Sequence, residues 1–156
     1  MSAELILHIR SDVGWKGLPA ARSFRHWIEL ALRGAKRRRA SELHVLITDS
    51  DSARALNRDY RGRDYATNVL SFPTELPPAM KSPLIGDLAI CAAVVAREAL
   101  AQGKSLRAHY AHMVIHGTLH LLGYDHIDEA DAERMEALET RLLASIGITD
   151  PYAPTD

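Results

Sequence analysis

Two periods of apolar residues run along this chain. Leu43, Val45 and Ile47 recur at every second position and mark a strand. Residues 3–9 (AELILHI), 68–72 (NVLSF) and 84–91 (LIGDLAIC) read as three more. Phe24, Trp27, Ile28 and Ala31 repeat at i, i+3, i+4 and i+7. That spacing predicts a helix from Leu18, with Pro19 near its first turn, ended by Gly34 and the run Lys36-Arg37-Arg38-Arg39. Ser50 or Asp51 caps a short helix carrying Ala53, Leu56 and Tyr60. Between the last two strands, PTELPPAMKSP is too rich in proline for a central strand and reads as a long loop.

The second half is helical in pattern. Residues 91–102 form one helix, and Ser105 caps another that runs to Leu122. A last helix starts near Asp128, with Asp128, Glu129 and Asp131 complementing its positive end. Met135, Leu138 and Leu142 mark its buried face, and Gly147 closes it. The order β-α-β-α-β-β-α-α-α, strands early and helices late, predicts an α+β fold with a mixed four-stranded sheet packed with helices.

A chain of 156 residues has room for a single domain, 1–156. The opening MSAELILHIRSD lacks a charged segment before its short apolar run, so it makes a poor signal peptide. No stretch approaches the roughly 20 apolar residues of a membrane span. Cys91, the single cysteine, has no partner for an internal disulfide. Together these point to a cytoplasmic protein without a membrane partner. Net charge is −1, but it is divided: residues 1–63 carry 13 basic and 7 acidic side chains, and the remainder 6 and 13. The division fits either an unevenly charged solvated surface or a basic face for nucleic acid.

The candidate chemistry is concentrated in His116-Gly117-Thr118-Leu119-His120-Leu121-Leu122-Gly123-Tyr124-Asp125-His126. Positions i and i+4 lie about 40° apart on one helix face, so His116 and His120 can bind one ion from consecutive turns. A third ligand farther along the same helix would point away. Gly123 can end the helix in a left-handed conformation and swing His126 back. Three neutral imidazoles suit zinc and leave a fourth position for water, which is the catalytic arrangement. The zinc site is therefore expected on a helix of the C-terminal half and the turn after it.

His112, one turn before His116, suits a donor behind a ligand, an RNA contact or a plain helix histidine; His109 continues the same stripe. Asp125 suits either an orienting carboxylate or a cap of the turn. His8, His26 and His44 lack ligand-like spacing and read as structural. The spacing H-x3-H-x5-H, with glycine between the last two, is also the metzincin protease pattern. That chemistry needs a glutamate after the first histidine, and here the residue is Gly117, which argues strongly against a protease.

The segment HGTLHLLGYDH resembles the signature of the YbeY family, bacterial metal-dependent endoribonucleases of ribosomal RNA maturation. LNRDYRGRDYATNVLSFP at 56–73 resembles that family's second block, and GDL at 86–88 its third. Ala66 stands where the family often has proline and Asn68 where aspartate is common. The resemblance implies one zinc ion on His116, His120 and His126, and a mixed sheet covered by helices. It also implies a functional arginine, matched here by Arg61. A guanidinium binds phosphate oxygens bidentately and can stabilise an anionic transition state. Without the resemblance, Arg61 reads as a solvated surface residue, as its neighbours Arg58 and Arg63 do.

The expected activity is a zinc-dependent, single-strand-preferring endoribonuclease acting on ribosomal RNA. The small ribosomal subunit, its proteins and assembly GTPases are the partners the resemblance implies. Two alternatives remain: an RNA-binding ribosome-assembly factor with a mainly structural zinc, and an atypical metallopeptidase. The general base is open among Asp87, Asp125 and the metal's own hydroxide.

Overall fold

A computed structural model describes residues 4–77, 80, 82–125 and 127–152. The elements are β1 (Leu5–Ser11), α1 (Ala21–Gly34), β2 (Ser41–Thr48), α2 (Ser50–Arg61), β3 (Val69–Pro73), β4 (Leu84–Cys91), α3 (Ala92–Ala101), α4 (Leu106–Leu121) and α5 (Glu129–Ser145). This is the α+β order expected from the pattern. The four strands form one mixed sheet in the order β1-β2-β4-β3. β1, β2 and β4 run parallel, and β3 pairs antiparallel with β4 at the edge.

Several boundaries differ from expectation, β3, α3 and α4 by a single residue at an end, and three have a clear cause. α1 begins at Ala21 after an extended Ala20, not at Leu18; a residue preceding proline is disfavoured in helical conformation, which excludes Leu18. The cap of α2 is Asp49, whose carboxylate accepts from the Ser52 N–H at 2.7 Å. It lies one residue before Ser50, because the strand runs straight into the helix. β1 is shifted toward the C-terminus by its register with β2, from Leu5 opposite Ser41 to Ser11 opposite Ile47. The expected cap of α4 is present, Ser105 accepting from Ala108 N–H at 3.1 Å; Asp128, expected to complement the positive end of α5, also caps it by accepting from Asp131 N–H at 2.8 Å.

α4 is the central element of the helical layer. Its sequence is apolar nearly all round, and Tyr110, Ala111, Val114, Ile115 and Leu119 are fully buried. It packs against α1, α3 and α5 and against β3 and β4. The core below it is formed by Phe24, Trp27, Ile28, Leu43, Ile47, Leu88 and Ile90. α2 covers the opposite face of the sheet near β4, where Leu56 and Tyr60 share a groove with Asp87 and Ala89. A helix held from several sides is a rigid carrier for any side chain at its C-terminal end. Among the described residues no helix is long and apolar enough to cross a membrane.

Truncating Ile115 to alanine removes a fully buried side chain at the centre of this layer and is expected to cost about 2–5 kcal/mol. Ser105→Ala removes only a helix cap and should cost about 1 kcal/mol. Urea denaturation of both variants, with unchanged slope, checks the ranking.

Candidate metal centre

His116 and His120 stand on successive turns of α4, at its C-terminal end. Their Nε2 atoms are 3.1 Å apart and their ring centroids 4.6 Å apart. Two imidazole nitrogens bound to one tetrahedral zinc at about 2.0–2.1 Å lie about 3.3 Å apart. The pair therefore has the spacing that one ion requires. α4 stops just beyond them. The Gly123 N–H donates to His120 O and the Tyr124 N–H to Leu119 O, both at 3.1 Å, and Gly123 has φ +100. Those two bonds satisfy the last carbonyls of the helix while the glycine turns the chain. The turn is the one expected from sequence; His126, the expected third ligand, lies outside the described residues.

Gly117, between the two histidines, faces the sheet. A Cβ there would lie 2.9 Å from Leu88 Cδ2 and 3.2 Å from Val69 Cγ2. Ser71 Oγ donates to the Gly117 carbonyl at 3.2 Å. The helix lies against the Leu88, Val69 and Ser71 side chains of β4 and β3, so the position where a metalloprotease carries its glutamate is already filled.

Behind His116 lies a buried carboxylate that the sequence reading missed. Glu139 of α5 is fully buried, with one oxygen in a short contact to His116 Nδ1 and the other to the Tyr152 hydroxyl. Burial alone would raise the Glu139 carboxyl. The His112 and His116 imidazoles and the Tyr152 hydroxyl outweigh burial and bring it down to about 2. An ionised carboxylate only accepts, so His116 donates from Nδ1, and its Nε2 lone pair faces the cleft. A carboxylate behind a ligating histidine fixes its tautomer and orientation. The sequence signal was present: Glu139 shares the i, i+3, i+4, i+7 stripe of Met135, Leu138 and Leu142, an apolar face on which a charge requires a partner.

Of the roles open to His112, the structure supports that of a donor behind the ligands: it is buried, with Nε2 3.2 Å from the Tyr152 hydroxyl. His112, His116 and Glu139 also bring ligand atoms within 4.8 Å of one another, close enough to hold an ion. His109 serves a separate system around a part-exposed carboxylate: it contacts Glu98 at 2.9 Å, and Asn68 donates to the same group at 3.0 Å. That contact accounts for asparagine at 68, since an aspartate would set like charges against each other.

The imidazoles of His116 and His120 open into a cleft of about 620 Å3 between β3, the end of α2 and the turn after α4. Arg61 and Arg63 line it, as do Tyr65, Tyr124 and Asp125. Arg61, the last residue of α2, donates from Nη2 to the Ser71 carbonyl in a short contact and lies 5.8 Å from the Phe72 ring centroid. Arg58 pairs with Asp59 at 3.2 Å. Asp87 lines the groove on the opposite face of the sheet. Of the two candidate carboxylate bases, the fold therefore brings Asp125 to the histidines and leaves Asp87 away from them. His8 and His44, which read as structural, are exposed; they stack across β1 and β2, with Glu42 2.8 Å from His8. This group too could hold an ion, but stacked rings direct their nitrogens in parallel, so both would have to turn.

The family model described as Endoribonuclease YbeY matches residues 12–147. A Stenotrophomonas maltophilia (strain K279a) protein named Endoribonuclease YbeY is 59% identical over 141 residues, covering 88% of this chain and 86% of that protein. Its namesake from Xanthomonas campestris pv. campestris (strain B100) is 56% identical over 155 residues, covering 93% and 95%. Among solved structures, the solution structure of TM1509 from Thermotoga maritima aligns over 96% of this chain and all of its own, at 24% identity and a TM-score of 0.60. That likeness is one of fold.

Gly117→Ala is expected to lower stability by about 1–3 kcal/mol through overpacking, read by chemical denaturation. Gly117→Glu should fail to confer cleavage of a peptide library. A pH effect follows from His109, whose pKa is lowered by burial and only partly restored by Glu98. The unfolded chain therefore takes up the proton first as pH falls through about 6.5, the ordinary histidine value. Stability should fall below that pH, and His109→Gln should flatten the decline between neutrality and the carboxylate range.

Proposed function

The chain belongs to the endoribonuclease YbeY family, and from that premise we propose that it cuts single-stranded RNA with the help of one zinc ion. Its role is in ribosomal RNA processing and small-subunit maturation, in the cytoplasm, with 1–156 acting as one hydrolase domain. The small ribosomal subunit and its assembly factors are the proposed partners. The observation that carries the reading is the cleft in which Arg61 and Arg63 face the paired imidazoles of His116 and His120.

The proposed ligands are His116, His120 and His126. The alternative group of His112, His116 and Glu139 would use His116 Nδ1, the atom already engaged by the Glu139 carboxylate. Bound zinc supplies Lewis acidity toward a phosphoryl oxygen or a water at neutral pH. The protein's own groups do the rest. Arg61 is anchored through one N–H to the Ser71 carbonyl, and a guanidinium has further donors for phosphate oxygens. Tyr65 and Tyr124 line the same cleft and offer rings for unpaired bases to stack on, which favours single strands over duplex. Gly117, packed against Leu88 and Val69, leaves no place for a peptidase glutamate.

The test is cleavage of a single-stranded rRNA fragment by zinc-loaded protein, beside His120→Ala and Arg61→Ala purified identically. Cleavage should vanish in His120→Ala and fall roughly 100-fold in Arg61→Ala, the scale for loss of one charge-stabilising donor. RNA affinity should weaken steeply with salt. Tight binding without cleavage would favour the assembly-factor reading, and equal cleavage in all three proteins would reveal a contaminant.

A further inference from the structure

A chain of polar groups runs from the C-terminal tail through the helical layer to the cleft. Tyr152 follows α5, and its ring meets that of His112 edge-on at 5.4 Å. The tail is held at two further points: the Tyr152 N–H donates to the Asp150 carboxylate at 2.8 Å, and Thr140 Oγ1 lies 3.3 Å from the same oxygen. Tyr152 then directs its hydroxyl inward to Glu139 Oε2. A phenol has one proton to give, and an ionised carboxylate has none. Tyr152 must therefore donate to Glu139 and accept from His112 Nε2–H, 3.2 Å away. That assignment leaves His112 Nδ1 as a bare lone pair, and this atom is buried without a hydrogen-bond partner. A lone pair tolerates such a place better than an N–H would. The remaining oxygen of Glu139 accepts from His116 Nδ1. Every donor thus points the same way: His112 to Tyr152, Tyr152 to Glu139, and His116 back to Glu139.

We infer that Tyr152 and His112 are positioning residues for the metal centre, acting through Glu139 to hold His116 as the Nδ1–H tautomer with Nε2 presented to the ion. The inference rests on the zinc reading above for its consequence, though not for its geometry. Glu139 has both oxygens engaged, one by His116 and one by Tyr152, which restrains rotation of the carboxylate. The C-terminal tail is in this way a structural part of the metal site, although the sequence places it 36 residues beyond His116. Groups of this kind behind a ligand change metal affinity by roughly 10–100-fold.

Zinc affinity of the full chain, measured by competition with a chromophoric chelator, tests the inference on Tyr152→Phe and Thr140→Val. The first removes the hydroxyl and keeps the ring. The second loosens the same tail without touching the relay. Tyr152→Phe should weaken zinc by about tenfold or more, with Thr140→Val near wild type. Unchanged affinity in Tyr152→Phe, or equal weakening in both, would overturn the relay. Long-range 1H–15N NMR of metal-free, 15N-histidine-labelled protein gives an independent reading. His116 should be the Nδ1–H tautomer in wild type and lose that preference in Glu139→Gln; an Nε2–H tautomer in wild type refutes the inference. If wild-type protein binds no zinc, the zinc reading fails, and the tautomer alone decides the relay.

Discussion

Where α4 crosses β3 and β4, Gly117 lets the helix settle directly onto the side chains of Leu88, Val69 and Ser71. That approach sets the height of α4 above the sheet and therefore the position of His116 and His120 on either side of the glycine. Ser71 ties β3 to the Gly117 carbonyl through its hydroxyl, and its own carbonyl holds Arg61. One edge strand thus fixes both the imidazoles and the guanidinium. A side chain at 117 would press on Leu88, Val69 and Ser71 and disturb the strand that holds the imidazoles and the guanidinium in one cleft.

The buried polar groups follow from the same packing. A helix that is apolar nearly all round and surrounded by other elements has no solvent to offer its histidines. Each imidazole in the interior must find a partner within the fold or leave a costly gap. His109 finds Glu98, and His112 and His116 share the Tyr152–Glu139 pair. In the Tyr152–Glu139 group the partners of the carboxylate fix the direction of each donor, and the atom left over, His112 Nδ1, is the one that carries no proton. The orientation of the His116 ring is therefore a consequence of burying Glu139 against it.

Order and type of all nine elements were legible in the sequence, because each strand and helix is patterned for the face it buries. Boundaries erred where one residue governs: Pro19 moved the start of α1, and Asp49 took the cap of α2 ahead of Ser50. The i, i+4 histidines and the Gly123 turn were legible because they are local. Glu139, Tyr152 and the His8–His44 stack were not read, for a different reason. Their partners come from other elements, 13 to 40 residues away, and no periodicity within one element encodes such a meeting. Only the charge on an otherwise apolar stripe of α5 hinted at the first.

The divided charge of the chain also acquires a physical meaning in the fold. The basic first part ends at Arg61 and Arg63, which reach the cleft from the end of α2. The acidic second part supplies Glu98 and Glu139, and both stand behind histidines of α4. The first part brings guanidiniums to the cleft, and the second brings carboxylates to the imidazoles as well as Asp125 to the cleft. Had Glu139 stood in the cleft instead of beneath α4, it would have paired with Arg61 and repelled the anion. Placed behind the helix, the Glu139 carboxylate orients His116 without pairing with Arg61 or Arg63, the guanidiniums that line the cleft.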